Sequence, residues 1–153
     1  MRAPERNDAA IQFVKRHLPP SDDVTVLVLK GHLLAETFLN SFLAKALPAP
    51  ERLDEARLTF RQTAALVASL HQDTDHAWLW QVLDKLNSVR NELAHTLNSE
   101  SIEHKLDLFI QAATPHIDAM GKTKSERLWW MLVILCGVLY NLGRPDAPAV
   151  EYQ

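Results

Sequence analysis

Two proline pairs bracket a stretch of chain that leaves little choice of fold. Between Pro19-Pro20 and Pro48-Ala-Pro50 the sequence holds no proline and a single glycine, Gly31. Proline lacks the N–H that a helix interior requires, so these pairs delimit one helix running to about Leu47. Val24, Val26, Leu27, Val28, Leu29, Leu33, Leu34, Phe38, Leu39, Phe42 and Leu43 make it apolar on most sides. A helix of that kind is expected at the centre of a bundle, as its most buried element. Ser21 or Asp22 is the expected N-cap.

The rest of the chain reads the same way. Only four glycines occur in 153 residues, and alternating β-branched runs are few, so helix is expected almost throughout. A first helix runs from about Pro4 to Leu18, with Ile11, Val14 and Leu18 at helical spacing. Others run from about Thr59 to His71, Trp78 to Leu97, Ser101 to Ala112, and Ser125 to Leu142, where Gly143 is the expected C-terminal cap. The expectation is an all-α bundle of five to six helices forming one domain over residues 1–145. A loose tail, 146–153, follows it.

Composition excludes several function classes. The glycines are too scattered for a phosphate-cradling loop, and no Walker or G-x-G-x-x-G run is present. Sixteen Lys and Arg stand against nineteen Asp and Glu, a net charge of −3, whereas a protein that coats nucleic acid is normally basic. The single cysteine, Cys136, forbids an internal disulfide and lies in an apolar run, as a buried hydrophobe would. That run, LWWMLVILCGVLYNL, spans roughly 22 Å as a helix, short of the ~30 Å of a bilayer core. The N-terminus carries charges where a signal peptide needs an apolar core, so a cytoplasmic protein without membrane association is expected.

Chemistry concentrates on the helix beginning at Trp78. At about 100° per residue, Trp78, Leu79, Val82, Leu86, Val89, Leu93 and Leu97 gather on one face. Opposite stand Asp84, Asn87, Asn91, His95 and Asn98, within roughly 80° of one another. Solvated stripes usually use Lys and Glu, whereas this one uses short hydrogen-bonding side chains that are poor helix formers, which suits a cleft or interface. On the second helix Thr25, His32, Glu36 and Asn40 share a narrow polar line. Polar groups on a buried helix need partners, and the asparagines and His95 are the candidates. A Glu36–His95 contact is expected first, because a carboxylate fixes an imidazole's tautomer.

The hexapeptide Arg90-Asn91-Glu92-Leu93-Ala94-His95 (RNELAH), within LDKLNSVRNELAH, resembles the signature of HEPN domains. KGHLLAETFLNSFL and LTFRQTAALVASL are similar to the preceding helices of that group, so the resemblance covers about residues 22–98. It implies a metal-independent endoribonuclease of toxin–antitoxin or defence systems, needing no cofactor and working as a homodimer on an RNA substrate. Arg90 would hold the phosphate, His95 would move protons, and Asn91 would position either; His32, Glu36 and Asn87 would support them. In members neutralised by a paired nucleotidyltransferase a tyrosine follows the histidine by two residues, and here that position is Leu97. The helices are also similar to those of the mannitol-repressor-like group, whose members were named as regulators. The alternative is therefore a non-catalytic helical module that binds a protein partner.

Positions 90 and 95 are about 140° apart on a helix, so they do not share one face; a site shared between two subunits accommodates this. His71, Asp73, Asp75 and His76 form a loop cluster of metal-ligand types with nothing to fix its geometry, and no metal is expected. Arg52, Arg57 and Arg61 fall at helical spacing among acidic residues, as on a solvated face. Trp129 and Trp130 are expected in the core or at a dimer interface. His17, His104 and His116 have no evident partner.

Overall fold

A computed structural model describes residues 5–71 and 75–142. Among them the secondary structure is entirely helical: α1 (Glu5–His17), α2 (Val24–Ala46), α3 (Arg52–Ala56), α4 (Phe60–Leu70), α5 (Trp78–His95), α6 (Ser99–Ala113) and α7 (Lys124–Leu142). The all-α expectation holds, with seven helices among the described residues instead of five or six. The addition is α3, a single turn ended by Arg57 in the left-handed conformation at φ 48°. That break separates Arg52 and Arg57 from Arg61, so the three arginines do not form one helical face. Arg61 instead pairs with Asp84 across α4 and α5, Nε to Oδ1 3.5 Å. Gly143 and the tail 146–153 lie outside the described residues, as does Asp73 of the loop cluster.

Local hydrogen bonds explain where the helices start. Asp23, not Ser21 or Asp22, caps α2, accepting from Val26 N at 3.2 Å, while Ser21 Oγ accepts from Asp23 N. Thr59 and Gln62 satisfy each other's backbone N–H groups at the head of α4, a capping box. Asn98 accepts from Glu100 N and Ser101 N and so starts α6. At α7, Thr123 Oγ1 accepts from Glu126 N, and Glu126 Oε2 accepts from Lys122 N at 2.7 Å and Thr123 N at 3.2 Å. Those two backbone donors hold the Glu126 carboxyl below its usual pKa.

The most buried helix is α7, which corrects the expectation for α2. From Met131 to Leu139 every α7 residue except Ile134 is buried. α7 is covered by α1, α2 and α6, whereas α2 packs on α7, α4, α5 and α1 and leaves Leu29 and Leu33 exposed, the latter at 62%. α2 is the one helix among the described residues long and apolar enough to cross a membrane by length and composition, and 44% of that apolar window is buried within the bundle. Cys136 is buried, with its thiol pushed up to about 12 by desolvation, which makes it a packing group and not a nucleophile.

Gly31 makes room on α2 for a side chain of α7. A Cβ there would lie 2.9 Å from Leu132 Cδ2, so the missing side chain leaves space for that leucine. Gly137 has no such role, since a Cβ there meets only Ile11 Cγ1 at 4.0 Å. Gly137→Ala should therefore raise stability by about 0.5–1 kcal/mol, read as a shifted urea midpoint, through the lower backbone entropy of the unfolded chain. A destabilised variant would mean that α7 needs glycine for a reason other than space.

Candidate functional site

α5 is anchored from beneath along most of its length. Leu79, Val82, Leu83, Leu86 and Val89 are buried, and Leu93 packs half-buried against the same core. Trp78 at its head stacks on His116, ring centroids 5.1 Å apart and 7° from parallel. His17 similarly lies against Phe13 at 4.8 Å, so these two exposed histidines rest on aromatic rings of the chain. Near the other end Glu92 accepts a short hydrogen bond from Ser101 Oγ, which ties α5 to α6. This staple turns the glutamate of the hexapeptide inward toward α6.

The polar stripe divides into three parts. Asn87 faces α2, its Oδ1 3.0 Å from His32 Nε2. The amide oxygen can only accept, so Nε2 carries the proton. His32 is 6% exposed, and its ring lies on Phe60 of α4 with centroids 4.2 Å apart. Burial holds its pKa below the ordinary 6.5, against upward pushes from the Asn87 hydrogen bond and the Glu36 charge; Arg90 adds a smaller downward push. Asp84, the second part, belongs to the ion pair with Arg61.

Asn91 and His95, the third part, are exposed, and so is Arg90, which lies off the stripe. Arg90 Nη1 reaches Asn91 Oδ1 at 3.5 Å, a weak contact that brings the guanidinium toward the asparagine side of the helix. His95 is the last residue of α5, with Thr96 as C-cap, and no hydrogen bond or ion pair among the described residues engages it. The expected Glu36–His95 contact is not formed. Glu36 acts on His32, one turn away on its own helix, and the bridge between the polar lines is His32–Asn87. Asn98 has left the stripe to cap α6, and Leu97 is exposed beyond the end of α5.

No model of a known protein family, no curated protein and no solved structure matches this chain. Function therefore has to be read from its own residues. Among the described residues no group of three or more His, Cys, Asp or Glu is arranged to hold a metal ion. What the site offers is a fixed helix end carrying one guanidinium, one amide and one imidazole toward solvent. A guanidinium forks onto a phosphate, and an imidazole takes or gives a proton near neutral pH. The seat of His32 on Phe60 was not legible from periodicity, because the two residues belong to different helices with no shared pattern.

Proposed function

We propose that this chain is an HEPN-like, metal-independent endoribonuclease of the toxin or defence type, acting in the cytoplasm as a homodimer. The observation that carries the reading is the exposure of Arg90, Asn91 and His95 on a helix whose other faces are held by α2, α4 and α6. Side chains kept free for the chain's own packing would more often be lysine or glutamate. In the proposed reaction His95 removes the proton of a ribose 2′-hydroxyl, and that oxygen attacks the adjacent phosphorus. The bond to the 5′-oxygen breaks, and the leaving oxygen takes a proton from the imidazolium of a second copy. A 2′,3′-cyclic phosphate and a 5′-hydroxyl result. Arg90 offsets the charge that grows on the phosphate oxygens, and Asn91 orients the phosphate or the ring. Leu97 in place of a tyrosine argues against neutralisation by nucleotide attachment, so an antitoxin would act by binding.

Total RNA incubated with the pure protein in EDTA should be cut to fragments with cyclic-phosphate ends, and the protein should sediment as a dimer at micromolar concentration. Intact RNA would overturn the nuclease reading, and a strictly monomeric species would remove the shared site. The apolar groove between α1 and α2, about 340 Å³ and lined by Phe13, Leu33, Leu34 and Phe38, favours the second reading, a helical module that binds a protein partner. That reading gives no cleavage under any of these conditions.

A further inference from the structure

On the far side of α7 the fold builds a cleft that the nuclease reading does not use. It has a volume of about 350 Å³, and its walls are Pro20, Ser21 and Asp22 before α2, Gly121 before α7, and Glu126, Trp129 and Trp130 on α7. That volume falls in the range of small-molecule sites. The two indoles meet edge to face with centroids 4.8 Å apart, forming a corner and not a cage. Trp129 is fixed in place, its Nε1–H donating to Leu18 O at 2.8 Å.

The chain itself seats a cation against these rings, from a residue that does not line the cleft. Lys15 Nζ of α1 lies 4.7 Å from the Trp130 ring centroid and 5.6 Å from that of Trp129, within cation–π range of both. The cleft also presents two carboxylates. Asp22 is exposed, and Glu126 uses Oε2 for both of its backbone donors. At the head of α7 the Lys122 and Thr123 N–H groups donate to Glu126, and Glu126 N–H donates to Thr123 Oγ1. Gly121 adopts φ +128°, and a Cβ there would come within 2.6 Å of Glu126 Cβ, so glycine lets the chain pass close to the first turn of α7.

We propose that this cleft binds an aliphatic primary amine, whose methylene chain lies on the indoles and whose ammonium groups donate to Asp22 and Glu126. Two rings enclose too little of a quaternary ammonium to hold it by cation–π attraction alone, whereas carboxylates reward a ligand that brings N–H donors. This site is independent of the nuclease reading.

Calorimetric titration of the full chain with 1,4-diaminobutane at constant ionic strength should show saturable binding to one site. Asp22→Asn, at an exposed position that caps no helix, should weaken it at least fivefold, and Trp130→Leu at least as much, with circular dichroism confirming folded variants. Tetramethylammonium should bind at least tenfold more weakly than the diamine. Heats equal to those of sodium chloride, unchanged affinity in folded Asp22→Asn, or tetramethylammonium binding as tightly as the diamine would each overturn the proposal.

Discussion

Replacing His95 with alanine is expected to slow RNA cleavage by at least about 100-fold, the lower end of what one positioned acid–base group contributes. The unfolding midpoint should not move. His95 is exposed, terminates α5, and is engaged by no hydrogen bond or ion pair among the described residues, so truncation removes chemistry without removing packing. Arg90→Ala should be at least as damaging to cleavage, because the guanidinium is the one cation of the hexapeptide. Arg90→Lys should recover only part of the rate, since an ammonium keeps the charge and loses the two-pronged fit to phosphate. If cleavage persists undiminished in His95→Ala, the assignment of the helix end as the reacting site fails. A shared dimer site makes one further outcome accessible. Mixed dimers of wild type and His95→Ala should cut as slowly as the variant, because one scission draws on the imidazoles of both copies.

The fold was legible to the extent that it follows from chain-local physics. Proline pairs, capping residues and 3.6-residue periodicity placed the long helices within a few residues, since each of these signals acts within one or two turns. What escaped was decided between elements. α2 is the more uniformly apolar by inspection, yet α7 is the more buried, because burial depends on which helices cover a face and not on how apolar it is. The His32–Asn87 bridge was foreseen as a meeting of two polar lines. A carboxylate–imidazole pairing favours Glu36 with His95 for that meeting, two residues that the register of α2 against α5 does not bring into contact. A helix-by-helix reading gives angles around each axis but not the axial offset between two helices. Asn98 shows a related limit: a residue on the projected stripe became the cap of the next helix because α5 stops at His95.

That bridge is the place where stability and pH should meet. Asn87→Leu should cost about 1–3 kcal/mol, because it leaves the His32 Nε2–H buried on Phe60 without an acceptor. The double variant His32→Leu with Asn87→Leu should recover much of that loss, since an apolar pair leaves no polar group stranded. The same burial gives the wild type a pH dependence of known sign. The folded pKa of His32 lies below the unfolded value of 6.5, so as pH falls through 6.5 the unfolded chain binds a proton that the folded chain refuses. His32 therefore supports the fold fully above about pH 6.5 and progressively less below it, by at most about 1.4 kcal/mol per pH unit, until the folded pKa is passed. Urea midpoints compared between pH 7.5 and pH 5 should thus fall more steeply in the wild type than in His32→Leu. Equal slopes would mean that His32 titrates alike in both states and that its burial does not set the acid sensitivity of the fold. Steeper loss in the wild type would assign that share of the acid sensitivity to His32, buried against Phe60 of α4 and bonded to Asn87 of α5.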